Sequence, residues 1–408
     1  MTKAITRERG TESTGRQALP PMRGILRFGQ SVWLDYLRRG MTRSGELAQM
    51  VEDGLRGMTS NQTIFEQAIA GSADYDDALI ELNASYATDR EMFEALAIRD
   101  VQEAADVFRG VYDETDGADG FVSIEVSPEL ARDTEGSIAE ARRLWRGVAR
   151  PNVMIKIPGT REGWPAIERC LRDGININIT LLFSLEHYDA VADAYLRALE
   201  ARVAAGQPID RVASAASLFV SRVDTEVDKR IAAKGDALSA LSGHVAVANA
   251  RLVYASFMDI MRGPRWKALE AQGAKAQRPL WASTGTKNAA YSDVLYVESL
   301  IGADTISTIP PETLRLFQDH GVIEQTLPGD VGEARRIMST LAAGGIDFAD
   351  VNRTLEEEGL AKFTQSLDTL LGVIANKQRA LTRHARAGDN SRSEQSIASI
   401  RSDNHLSP

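Results

Sequence analysis

Eight short β-rich runs alternate along this chain with longer segments of helical periodicity, which predicts an α/β fold: a single-domain (β/α)8 TIM barrel with additional flanking helices. Two further observations support that reading. No low-complexity linker divides the chain. Most of the runs carry polar residues in or at the end of their C-terminal halves, as expected where reacting groups gather at the C-terminal ends of barrel strands. Composition supplies the core: of 408 residues 43% are hydrophobic and 25% charged, enough for one large globular domain. The ends read differently. Residues 1–20 are polar and charge-rich and 385–408 are rich in Ser, Asn, Asp and Arg, so both are expected as disordered tails around a domain spanning 21–384.

The proposed strands, in order, are residues 31–35, 57–61, 120–125, 153–157, 175–182, 212–217, 279–283 and 304–309. Helix signals fill the gaps. Ser44 is placed to cap a helix closed by Gly57, and Asp133-Thr134-Glu135 opens one running to about Arg146 with Gly147 beyond it. Gly174 follows a helix expected over 161–171. Long helical patterns over 184–205, 242–261 and 348–379 exceed what a minimal barrel requires. Those after the eighth strand are expected to cap or flank the barrel.

Charge and cysteine usage narrow the function classes. A net charge of −10 argues against nucleic-acid binding, because phosphate backbones reward clustered Lys and Arg. Cys170 is the only cysteine, so no intramolecular disulfide can form and a thiol-ligated zinc site is disfavoured; its amphipathic surroundings suggest packing. No stretch approaches the roughly 20 apolar residues of a membrane span, and the polar N-terminus lacks a signal-peptide core. A cytoplasmic protein without membrane partner, metal or cofactor is therefore expected.

One lysine stands apart. Lys156 lies inside the apolar run Val153-Met154-Ile155-Lys156-Ile157, and before Lys229 the only other lysine is Lys3. Desolvation on a buried strand favours the neutral amine, which can attack a carbonyl; a lysine on an edge strand would instead discourage pairing. The companions favour the first role. Asp35 closes the first strand, Ser60 and Asn61 the second, Glu125 the third, Asn178 and Thr180 the fifth, Ser217 the sixth and Ser283 the seventh. Each also admits a structural role: Asp35 as a helix cap, Glu125 as an arginine partner, the neutral residues as partners of buried backbone groups. Together one nucleophile, two carboxylates and several neutral hydrogen-bonders on one face make an acid–base site. Lys156 adding to a ketone yields an iminium, an electron sink that makes the adjacent carbon–carbon bond cleavable. Two carboxylates can then divide the proton transfers. Arg222 and Lys287, following the sixth and seventh strands, offer a basic phosphate site near Gly285, where backbone N–H groups and a helix N-terminus can approach an anion.

In these segments the chain resembles the transaldolases, of the longer bacterial type. The resemblance is carried by Trp33-Leu34-Asp35, by Met58-Thr59-Ser60-Asn61-Gln62, and by Ser123-Ile124-Glu125-Val126-Ser127-Pro128. It continues through Asn152-Val153-Met154-Ile155-Lys156, Asn178-Ile179-Thr180-Leu181-Leu182, Ser217-Leu218-Phe219-Val220-Ser221-Arg222 and Ser283-Thr284-Gly285-Thr286-Lys287-Asn288, covering roughly Gln30 to Asn376. The resemblance implies a Schiff-base enzyme of the pentose phosphate pathway. It would move a dihydroxyacetone unit from sedoheptulose 7-phosphate or fructose 6-phosphate to glyceraldehyde 3-phosphate or erythrose 4-phosphate. It further implies that Lys156 forms the Schiff base, Asp35 takes the donor hydroxyl proton, and Glu125 shuttles protons through a water positioned by Thr180. Asn61, Asn178 and Ser217 would hold the dihydroxyacetone hydroxyls, Phe219 would line the pocket, and Arg222, Ser283 and Lys287 would bind phosphate. Homodimers are common in the family. Two departures stand out: the family's turn usually reads Thr-Ser-Asn-Pro where Gln62 stands here, and many members carry arginine at the position of Lys287. A fructose 6-phosphate aldolase that releases its product to water, and a non-catalytic sugar-phosphate binder, are the competing readings.

Overall fold

A computed structural model describes residues 20–82 and 86–403, with side chains described except at 236 and from 384 onward. Eight strands close into a barrel in chain order. They are β1 (Gln30–Asp35), β2 (Gly57–Thr59), β3 (Val122–Glu125), β4 (Val153–Pro158), β5 (Ile177–Leu182), β6 (Ser214–Phe219), β7 (Arg278–Ala282) and β8 (Thr305–Ile309). Every neighbouring pair is parallel. Each strand overlaps its expected run, but the limits differ: β1 and β7 begin one residue early, β4 runs one residue longer, β2 stops at Thr59 and leaves Ser60 and Asn61 to the turn, and β6 begins at Ser214 and runs on to Phe219.

Burial follows from closure. β4, β5 and β6 are buried at every position, because one face fills the barrel and helices cover the other. Successive side chains alternate faces, so Lys156 shares the inner face with Met154 and Pro158 while Ile155 and Ile157 go to the helix layer. A polar cluster occupies the N-terminal end, opposite the site. Asp119 accepts from the Trp33 indole at 2.9 Å and from the Ser31 hydroxyl, and Arg278 donates to that hydroxyl at 2.7 Å.

The helix boundaries bring two corrections. Ser44 does not open a helix: it ends Arg39–Arg43, and a second short helix, Glu46–Glu52, follows Gly45 at φ 87°. Gly57 closes nothing; it is the first residue of β2, kept small because a Cβ would meet the Trp33 ring at 2.5 Å. Gly147 lies inside Thr134–Val148, which Asp133 caps through Gly136 N at 3.0 Å and which ends at Ala149 in the left-handed region, φ 49°. The helix Gly163–Arg172 ends as expected before Gly174 at φ 86°, and it buries Cys170, whose thiol burial pushes up to about 12.

The last long pattern forms the helix Phe348–Asp403. It packs on the helices Gln62–Gly71, Asp76–Leu82 and Ser221–Ala233 and on β5, and so crosses the C-terminal ends of the strands. Its backbone continues through 385–403, where composition predicts a tail; the side chains there, residues 404–408 and the expected N-terminal tail before Pro20 lie outside the described residues. Among the described residues no helix is long and apolar enough to cross a membrane.

Candidate active site

Strand register sets the centre of the site. Glu125 pairs with Lys156 across β3 and β4, and Lys156 with Asn178 across β4 and β5, so the three stand in one row. Lys156 is 4% exposed. Its Nζ lies 3.6 Å from Glu125 Oε2 and donates to the Ser60 carbonyl at 3.4 Å. A closed barrel has no edge strand, so the edge-strand role for this lysine falls away. Burial pushes the Glu125 carboxyl up to about 7, with the attraction of Lys156 opposing it.

Asp35, at the end of β1, caps no helix. Its Oδ1 accepts from the Thr59 hydroxyl at 2.7 Å, and Thr59 Oγ1 lies 2.7 Å from Thr308 Oγ1. With the Thr59 proton directed to the carboxylate, Thr308 must donate to Thr59. Neither threonine is among the residues singled out from the sequence. Thr308 is the polar residue closing β8, so the strand-end rule applied to the eighth run would have found it.

The neutral residues divide into two groups. Asn61 Oδ1 caps the helix Gln62–Gly71 through Ile64 N at 3.0 Å, while the residue also lines the cavity. Asn178 has both ends of its amide engaged: Ser217 Oγ donates to Oδ1 at 2.7 Å and Nδ2 donates to Ser123 Oγ at 3.0 Å. Thr180 is fully buried and its Oγ1 has no hydrogen-bond partner among the described residues. β5 changes register between Ile179 and Leu182, with Leu181 at φ 59°, a left-handed conformation costing on the order of 1–3 kcal/mol.

A cavity of about 260 Å³ opens at these strand ends, lined by Asp35, Asn61, Lys156, Ser217, Phe219, Arg222, Ser283 and Lys287. Glu125 lines instead a smaller cavity of about 70 Å³ behind the row, with Gln62 and Glu140. Phe219 packs edge-on against Phe183, and the Arg222 guanidinium lies 5.1 Å from its ring centre. Burial holds both Arg222 and Lys287 below their ordinary pKa values. Ser283 turns the chain away from β7 at φ 55°, and its hydroxyl meets that of Ser221 at 3.0 Å. The expected helix N-terminus exists only after β6, where Ser221–Ala233 begins; the chain after Ser283 is a loop until Leu295–Glu298. Asp228 and Asp224 tie that loop down by accepting from Tyr291 and Tyr296 at 2.7 and 2.9 Å.

A family model described as Transaldolase/Fructose-6-phosphate aldolase matches residues 32–374. The chain belongs to the transaldolase/fructose-6-phosphate aldolase family. Curated relatives include a transaldolase from Saccharopolyspora erythraea, 47% identical over 85% of this chain and 94% of its own. Another, from Acidothermus cellulolyticus, is 47% identical over 87% and 96%. A third, from Trichodesmium erythraeum, is 44% identical over 88% and 97%.

Within this transaldolase-family frame the two departures acquire a physical meaning. Gln62 occupies the first helical position, where proline is at home, and its side chain donates to the Val126 carbonyl at 3.3 Å, linking the β2 turn to the segment after Glu125. The Lys287 Nζ lies close above Gly285, where an added Cβ would stand 3.8 Å from it. The structure also brings in Lys362 and Phe363, both lining the cavity from the C-terminal helix. Their sequence signal was a helical pattern expected to cap or flank the barrel, with no residue of it assigned to the site.

Proposed function

We propose that this chain is a transaldolase, moving a dihydroxyacetone unit from sedoheptulose 7-phosphate or fructose 6-phosphate to glyceraldehyde 3-phosphate or erythrose 4-phosphate. The observation that carries the reading is a buried lysine nitrogen 3.6 Å from a buried carboxylate, opening on a cavity that also holds Arg222 and Lys287. Identity of about 45% with transaldolases over nearly their whole length supports the same activity.

Lys156 adds to the ketose carbonyl carbon, and loss of water from the carbinolamine gives an iminium. Glu125, with a carboxyl able to hold or release a proton near neutrality, relays the protons of that step. Thr180 Oγ1 makes no hydrogen bond among the described residues, and Glu125 Oε2 makes none beyond its 3.6 Å ion-pair contact with Lys156, so both can accept a water for the relay. Asp35 takes the proton from the hydroxyl β to the former carbonyl. The bond between the carbon α to the iminium and the carbon bearing that hydroxyl breaks, the latter leaves as the aldehyde, and the bonding pair passes into the enamine on Lys156. Addition of the enamine carbon to an acceptor aldehyde and hydrolysis of the new iminium return the free lysine. Asn61, Asn178 and Ser217 hold the dihydroxyacetone hydroxyls, Phe219 forms the wall, and Arg222, Ser283 and Lys287 hold phosphate.

Borohydride reduction with fructose 6-phosphate tests the chemistry: one adduct on Lys156 is expected. No adduct on the wild-type protein, or one that survives Lys156→Ala, would sink it. Acceptor dependence separates transfer from simple cleavage. Fructose 6-phosphate cleavage as fast without an acceptor aldehyde as with one would favour the aldolase instead.

A further inference from the structure

The helix Phe348–Asp403 is seated against the cavity by two contacts. Gly359 lets its backbone lie close to the barrel: a Cβ there would stand 2.9 Å from Leu181 Cδ2 and 3.4 Å from Arg222 Nη1. One face further along, the Ser366 hydroxyl meets that of Thr63, a cavity residue, at 2.7 Å. Lys362 and Phe363 lie between these anchors, three and four positions beyond Gly359 and hence on the same helix face. Phe363 is buried and Lys362 reaches the cavity from the side opposite the barrel.

Lys362 therefore joins Arg222 and Lys287 around one space. Among the described residues none of the three forms an ion pair with a carboxylate. The charges feel one another, since after burial Lys362 and Arg222 are the next causes that hold the Lys287 pKa down. Asp35, the carboxylate in the same cavity, offsets part of this positive charge, and a bound dianion would offset the rest.

We propose that Lys362 is a third cation of the phosphate subsite, closing on the phosphate of the sugar substrates from the C-terminal helix while Arg222 and Lys287 hold it from the barrel. The proposal rests on the phosphate reading given above, and it makes the C-terminal helix part of the binding site. Sequence separation hides this, because Lys362 lies far along the chain from every other member.

The test uses full-length protein and inorganic phosphate at constant ionic strength, followed by titration calorimetry. Lys362→Ala is expected to weaken phosphate binding roughly tenfold, the scale of one lost hydrogen bond to a charged group. Lys362→Arg, which keeps the charge, is expected to restore it to within about threefold. The KM for fructose 6-phosphate should rise in parallel while kcat moves by less than about twofold, as for loss of uniform binding. Alanine is a good helix former at this exposed position, so folding is not at risk. Phosphate affinity in Lys362→Ala within about twofold of wild type, or an equal loss in Lys362→Arg, would overturn the proposal. Tight phosphate binding that depends on Lys362, in a protein that forms no ketose adduct, would uphold it while defeating the transaldolase reading.

Discussion

Glu125 Oε2 stands 3.6 Å from Lys156 Nζ, with the two side chains 3% and 5% exposed. A carboxyl shut away from water favours its protonated form, and the lysine beside it only partly offsets that preference. The folded protein thus keeps a proton that the unfolded chain, with the ordinary value of 4.5, gives up earlier. As pH rises from about 4.5 to 7 the native state binds more protons than the unfolded one, so this group's contribution to stability falls across that window. Glu125→Gln removes the titration. Its unfolding free energy relative to wild type should rise by up to roughly 3 kcal/mol between pH 5 and pH 8. Urea titrations at the two pH values check this, and a pH-independent difference would refute a raised Glu125.

Asp35, bonded to Thr59, is the base assigned to carbon–carbon cleavage. Asp35→Asn keeps the shape and removes the base, so turnover should fall by roughly 10²–10⁴-fold while a borohydride-trapped adduct on Lys156 persists. A folded mutant that forms no adduct would place Asp35 in Schiff-base formation instead.

Gln62 occupies a helical first position, and Asn61 before it is extended at φ −159° and ψ 175°, as a residue preceding proline must be. Gln62→Pro should therefore be accepted within about 1 kcal/mol, losing one bond to Val126 and gaining rigidity. Thermal melts measure it. A loss above roughly 2 kcal/mol would mean that the Val126 bond anchors the turn.

Gly57 lies under the Trp33 ring, which cannot retreat because its indole is bonded to Asp119. Gly57→Ala should destabilise by roughly 1–3 kcal/mol through overpacking and disturb β2, which leads into Asn61. Chemical denaturation gives the magnitude; a neutral result would show that the β1–β2 contact has slack.

The eight strands and the residues of the candidate site that line the barrel's strand ends were legible in the chain alone because their signals are local. A parallel barrel strand is a short apolar run; Asp35 and Glu125 sit where such runs end, and Lys156 and Asn178 interrupt theirs. Helix limits at Ser44 and Gly57 were misread because a capping residue and a glycine have several uses, and only packing against Trp33 decides between them. Contacts between distant segments lay further out of reach. Thr59 meets Thr308 only because β1, the neighbour of β2, also pairs with β8 to close the barrel. Lys362 reaches the cavity only because Gly359 and Ser366 lay its helix across the strand ends. Residue types and spacings thus determined the fold class and nominated the candidate reactive groups, which depend on neighbours in sequence. Barrel closure and the return of the C-terminal helix decided which groups face one another, since those pairings depend on packing between segments hundreds of residues apart.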